Sequence, residues 1–134
     1  MSVSMQNYLE EILNLSLRQD TVRVTDIAER LNLTKPSVAQ ALKQLREQGL
    51  IRQSHYGPVE LTKKGRKCAL VVRRRHEVLK SFLMEVLGLN HQVAERDACL
   101  MEHAVSSETI ERLVNFLLEG GYCTGNFHLE ENAQ

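Results

Sequence analysis

The sequence predicts a mainly α protein, helices packed on helices with one short hairpin between an N-terminal and a C-terminal set, and three observations predict it. Aromatic residues make up only 4% of the chain while hydrophobic residues reach 43%, so the core must be built from Leu, Val, Ile, Ala and Met, which suit helical layers better than stacked sheets. Apolar residues recur at helical spacing along most of the chain. The one clear pair of extended runs flanks Tyr56, Gly57 and Pro58. With 134 residues, the chain can bury one compact core or two small ones, not two large independent domains.

The elements follow in order. From Met5 to Leu17, the spacing of Tyr8, Leu9, Ile12, Leu13 and Leu15 predicts a first helix. "TDIAERL", Thr25 to Leu31, is a short second helix with Thr25 as its N-cap, and Asn32 and Leu33 form a turn. Thr34 caps a third helix with Pro36 in its first turn, where a missing N–H costs nothing. Val38, Ala41, Leu42 and Leu45 form its buried stripe, and Gly49 ends it. "LIRQSH" and "VELT" are the two strands of the hairpin. Thr62 caps a long helix from about Lys63 to Leu87, stopped by Gly88; a fifth helix covers about His91 to Ala104 and a sixth about Ser107 to Glu119. The tail beyond Gly121, with Cys123 and His128, has no usable periodicity. The natural division is residues 1–62 and 63–134.

Charge divides the chain in the same sense. The formal net charge is zero, yet residues 18–75 hold 14 Lys and Arg against 5 Asp and Glu, a net of +9. Residues 76–134 hold 3 against 10, a net of −7. A basic half joined to an acidic half suits one polyanion-binding domain beside a domain of another kind, although two solvated surfaces would give the same count. No apolar run approaches the ~20 residues of a membrane span, and the N-terminus lacks the basic start and apolar run of a signal peptide. A cytoplasmic protein without membrane contact is expected. Cys68, Cys99 and Cys123 are odd in number and show no framework spacing, which favours thiols or metal ligands over disulfides.

Two short helices joined by a tight turn and followed by a hairpin have the layout of a winged helix-turn-helix, whose second helix enters the major groove of DNA. On the predicted recognition helix, Lys35, Pro36, Ser37, Gln40 and Lys43 are the candidate contacts. Gln40 is the expected base reader, because its amide can pair both edges of adenine. Arg52 and His55 on the wing, with Lys63, Lys64, Arg66 and Lys67 after it, are expected to meet phosphates, which set affinity without carrying sequence information. Residue by residue, an ordinary solvated helix face would look the same. The surrounding motif and the local basic excess favour the groove.

In the C-terminal half, "ACLMEHAVS" places Cys99, Glu102 and His103 within one sector of a helix, so their side chains can converge. Thiolate, carboxylate and imidazole all ligate late divalent metals. Three ligands leave a shell open, and His76, Asn7 and Glu10 are polar residues on helices able to pack against this one. The plainer alternatives are a small buried hydrophobe at Cys99, a surface pair at Glu102 and His103, and a core histidine at His76.

Taken together, "SMQNYLEEIL", "VRVTDIAERLNLTKPSVAQALKQLREQGLI", "VELTKKGRKCA", "RRRHEVLKSFLMEVLGL" and "DACLMEHAVSSETIERL" resemble the family of metal-dependent repressors that contains the diphtheria toxin repressor and the manganese transport regulators. The matching pieces run in order from Ser4 to Leu113. The resemblance implies a winged reader followed by a helical metal-binding and dimerisation domain, a homodimer on palindromic operator DNA, and a divalent metal as corepressor. The expected size is that of the two-domain manganese branch, without the SH3-like domain of longer iron regulators. The family's primary site falls on Asn7, Cys99, Glu102 and His103. A neighbouring second site falls on Glu10 and His76, sharing Glu102 and residue 99.

This chain departs from the family pattern at two of these places and at one ancillary position. Asn7 stands where manganese regulators have Asp and iron regulators Met, and Cys99 is the iron-branch residue where the manganese branch has Glu. The ancillary carboxylate of the iron regulators is here Lys80, which cannot ligate while charged; Glu95 occupies another ancillary-ligand position. The thiolate disfavours Mn²⁺ relative to Fe²⁺ or Zn²⁺, so Fe²⁺ is expected first and Mn²⁺ next, with Zn²⁺, Co²⁺ or Ni²⁺ serving in vitro. Two other readings start from Cys99. A regulator sensing redox state or an organic effector would keep the DNA reader. A thiol enzyme would need a substrate pocket and an oxyanion hole that nothing in the sequence supplies, so no enzymatic activity is expected.

Overall fold

The structure, a computed structural model, describes residues 2–55 and 57–122. It is mainly α, with a winged helix-turn-helix at its N-terminal end, and divides into two compact units, Met1–Leu70 and Val71–Gln134. Cys123 and His128 lie outside the described residues. No helix among the described residues is long and apolar enough to cross a membrane.

The N-terminal unit begins with α1, Val3–Arg18, capped by Ser2, whose hydroxyl accepts the Met5 N–H at 3.2 Å. Tyr8, Leu9, Ile12, Leu13 and Leu15 are buried, as their spacing demands. Helix α2, Val24–Leu31, starts one residue earlier than its sequence suggests. Thr25 is therefore inside the first turn and is not the cap. The Arg23 N–H instead donates to Asp26 Oδ2 at 2.9 Å, so a carboxylate within the helix ties down the residue before it. Asn32 closes the helix with φ +55°, a left-handed conformation that asparagine tolerates better than most residues.

Helix α3, Lys35–Glu47, begins where Thr34 Oγ1 accepts the Ser37 N–H at 3.3 Å, and it buries Val38, Leu42 and Leu45. Gly49, at φ +75°, turns the chain into strand β1, Ile51–Gln53, which pairs antiparallel with β2, Val59–Leu61. The hairpin is anchored at its buried residues Ile51 and Val59, and the Val59 N–H donates to the Val22 carbonyl at 2.7 Å. Thr62 caps α4, Lys63–Ser81, by accepting the Gly65 N–H at 3.0 Å, and its own hydroxyl donates to the Gly49 carbonyl at 2.7 Å. Ala69 and Leu70 are buried in the same core. By compactness the units divide inside α4, whose first turns pack in the N-terminal core.

In the C-terminal unit, α4 gives way at Phe82 to a π-helical turn, Phe82–Val86, where an unbroken α-helix to Leu87 was expected. The Leu87 N–H reaches back five residues to the Phe82 carbonyl at 3.3 Å, and Leu83 is buried within this wider turn. Helix α5, His91–Met101, is capped by the Asn90 side chain. It stops short of Ala104: the N–H groups of Ala104 and Val105 both donate to the Met101 carbonyl, at 2.9 and 3.1 Å, which tightens the chain into a turn. Helix α6 spans Ser107–Glu119. Val78, Leu79, Leu83, Ala94, Ala98, Ile110, Val114 and Leu117 form this unit's own core.

Candidate metal centre and nucleic-acid face

Two polar side chains are buried among the described residues, His76 at 5% exposure and Glu102 at 2%, and they meet each other. His76 stands in the middle of α4, and Glu102 follows the last residue of α5, still in helical conformation. His76 Nδ1 is 3.0 Å from Glu102 Oε2 and 3.8 Å from Cys99 Sγ. The second oxygen, Glu102 Oε1, is 3.2 Å from His103 Nε2. A buried carboxylate thus divides its two oxygens between two imidazoles. The remaining ring nitrogen, His76 Nε2, is 3.0 Å from Glu95 Oε1, and Lys80 Nζ is 3.3 Å from Glu95 Oε2.

The electrostatics follow from this packing. Burial acts against a charged imidazole, but hydrogen bonds and charge from Glu102 and then Glu95 outweigh it and hold the His76 pKa at about 9, above its ordinary 6.5. Burial acts in the opposite sense to the outcome at Glu95 too: it would raise that carboxyl, whereas His76 and Lys80 pull it below the usual range.

The donor set suits a divalent transition metal. Ligand atoms of His76, Glu95 and Cys99 lie within 4.8 Å of one another, and nitrogen, oxygen and sulfur donors together match the borderline ions. Cys99 is exposed, so it is not the small buried hydrophobe it could have been. Glu102 is buried, so it does not form a surface pair with His103. The C-terminal unit brings together His76, Glu95, Cys99, Glu102 and His103. Asn7 and Glu10 belong to the N-terminal unit, one turn apart on α1, Asn7 exposed and Glu10 half-buried.

In the N-terminal unit, Lys35, Pro36, Ser37, Gln40 and Lys43 all lie exposed on α3, whose buried residues are Val38, Leu42 and Leu45. Ser37 Oγ accepts from the Thr34 hydroxyl at 2.9 Å. Arg52 and His55 are exposed on the hairpin, Arg52 facing Glu60 across the strands at 4.0 Å. A cleft of about 440 Å³ between α3, the start of α2 and the hairpin is lined by Arg23, Lys43, Arg46 and His55, among others. Sequence reasoning singled out Lys43 and His55 and missed Arg23 and Arg46. Arg46, one turn after Lys43 on the same helix, was the available signal.

A winged helix with an exposed polar recognition helix, in one chain with a helical unit that buries an imidazole and carboxylate cluster beside a thiol, defines a metal-responsive DNA-binding regulator. Comparison with known proteins agrees. Residues 1–59 match the family described as the iron dependent repressor, N-terminal DNA binding domain, and residues 62–125 that described as the iron dependent repressor, metal binding and dimerisation domain. The chain belongs to this family of metal-dependent transcriptional repressors, that of the diphtheria toxin repressor and the manganese regulators.

It is 38% identical over 115 residues to the transcriptional regulator MntR of Salmonella typhimurium, covering 86% of this chain and 73% of the relative. With the iron-dependent repressor IdeR of Mycobacterium bovis it shares 36% over 110 residues, 82% of this chain and 48% of that one. Among solved structures, a manganese-dependent transcriptional repressor in complex with manganese superposes with a TM-score of 0.77 at 34% identity, over 84% of this chain and 52% of that one. The chain thus spans about half the length of the iron repressor and of that solved structure.

Proposed function

We propose that the protein is a cytoplasmic, metal-activated repressor of metal homeostasis genes that binds palindromic operator DNA as a homodimer, with Fe²⁺ as the favoured corepressor and Mn²⁺ next. The observation that carries this reading is Glu102, buried at 2% exposure between His76 and His103. A carboxylate in that position needs positive charge beside it, and a divalent ion in place of the His76 proton meets that need. Cys99, Glu102 and His103, with Asn7, would hold the primary ion; Glu10 and His76 would serve a neighbouring position that shares Glu102. The Cys99 sulfur supports Fe²⁺ over Mn²⁺, and makes Zn²⁺, Co²⁺ or Ni²⁺ workable in vitro.

When bound, the ion supplies a charge and a ligation centre common to several helices. Recruitment of Asn7 and Glu10 from α1 would couple the reader to the metal domain, and this favours operator binding to the extent that the ion binds the DNA-competent arrangement more tightly than others. Lys35, Pro36, Ser37, Gln40 and Lys43 would enter the major groove, with Gln40 reading a base, while Arg52 and His55 meet phosphates. An anaerobic gel-shift titration with Fe²⁺, with Mn²⁺ and with chelator tests the switch. Tight binding with metal and weak binding with chelator is expected; equal affinity in both would refute it.

A further inference from the structure

Lys80 follows His76 by one turn on α4. Its ammonium is 3.3 Å from Glu95 Oε2, and the other oxygen of that carboxylate is 3.0 Å from His76 Nε2. The opposite ring nitrogen, Nδ1, is the one that faces Glu102 and Cys99. A chain of pairs, ammonium to carboxylate to imidazole, therefore ends on the side of the ring away from those two groups. Ligating histidines are commonly steered in this way, by a carboxylate that takes the N–H of the nitrogen not bound to metal and so sets tautomer and ring orientation.

Glu95 alone would invite a second ion, because its oxygen, a His76 nitrogen and the Cys99 sulfur lie within 4.8 Å of one another. Lys80 answers that invitation with a charge of its own. We propose that Lys80 is a built-in cation: its ammonium takes the Glu95 carboxylate that a further divalent ion would need, keeps that flank free of metal, and makes Glu95 a positioning residue for His76 instead of a ligand. This rests on the metal reading above and adds to it the number of ions and the role of each residue on this side of the cluster.

Bound metal is counted after equilibrium dialysis of the full chain against Co²⁺, for the parent protein and for Lys80→Glu, Lys80→Arg and Glu95→Gln, with helical circular dichroism confirming folding. Lys80→Glu should bind one Co²⁺ per subunit more than the parent, and Lys80→Arg the same number as the parent. Glu95→Gln should keep the parental count with affinity lowered by roughly 10- to 100-fold, the usual cost of removing an outer partner of a ligating histidine. An unchanged count in a folded Lys80→Glu protein overturns the proposal, as does the loss of one ion in Glu95→Gln. Should Lys80→Glu fail to fold, the Glu95→Gln count decides alone. If the parent binds no Co²⁺ at all, the metal reading itself falls; the other failures leave that reading standing.

Discussion

Glu102 carries the most consequence of any single side chain, since its burial at 2% exposure forces its neighbours to supply charge. In the metal-free protein that charge is a proton on His76, held to a pKa of about 9. A raised folded-state pKa stabilises the fold fully below the unfolded value of 6.5, and the benefit is lost as pH climbs through about 9. Thermal unfolding of the metal-free protein should therefore shift to lower temperature between pH 6.5 and about 9, and His76→Gln should flatten that part of the profile. A metal ligated by His76 would displace the same proton, so for each proton released its apparent affinity should rise about tenfold per pH unit across this window. The cluster and the reader are separable at the residue scale. Glu102→Ala or His103→Ala should abolish metal-stimulated operator binding in a gel shift. Gln40→Ala should weaken specific binding by about 1–3 kcal/mol while metal affinity, measured by calorimetry, stays at the parental value.

At the scale of elements, the joint between the hairpin and α4 leaves no room for a side chain at Gly65. A Cβ on Gly65 would run into the Leu50 carbonyl oxygen, a backbone atom that also accepts the Thr62 N–H at 3.1 Å. Gly65→Ala should cost on the order of 1–3 kcal/mol, read as a lower denaturant midpoint. Several helix termini controlled by one residue were legible in the sequence: Thr34 and Thr62 cap as expected, and Gly49 and Gly88 take positive φ at the ends, whereas the Ser2 cap that starts α1 at Val3 was not read. Where control lies in a partner, the sequence was silent. Asp26 rather than Thr25 ties the start of α2, and the end of α5 at Met101 depends on two N–H groups sharing one carbonyl. The π-helical turn at Phe82 has no pattern of its own, since a five-residue hydrogen bond leaves the apolar spacing on either side looking helical. The cluster was half legible for the same reason. Periodicity predicts that Cys99, Glu102 and His103 share a sector, but the His76 bridge and the Lys80 to Glu95 pair depend on how two helices meet.

Across the whole molecule, zero net charge conceals a strongly basic stretch, residues 18–75 at +9, and an acidic one, residues 76–134 at −7. Operator binding should therefore fall steeply with salt although the protein as a whole is neutral. The slope of log affinity against log salt is about −0.9 for each phosphate neutralised, and Arg52→Ala should make it shallower by about 1, the share of a single phosphate. Metal and operator must also be linked. If saturating metal tightens operator binding by some factor, the same operator duplex must tighten metal binding by that factor, because both are one coupling free energy around a closed cycle. Typical couplings of 1–3 kcal/mol correspond to roughly 5- to 150-fold. The two factors come from independent measurements, a gel shift with and without metal and a metal titration with and without duplex at the same salt and pH. They should agree within error. Salt must be held constant, because raising it weakens the phosphate interactions and lowers operator affinity in both metal states; to the extent that those interactions are the same in each state, it leaves the ratio unchanged. A duplex of scrambled sequence should give a smaller factor on both sides of the cycle, since it keeps the phosphates but lacks the base edges expected to pair with Gln40. If operator affinity responds to metal while metal affinity ignores the operator, the ion is acting through something other than the equilibrium of this protein, such as bridging to phosphate or aggregation.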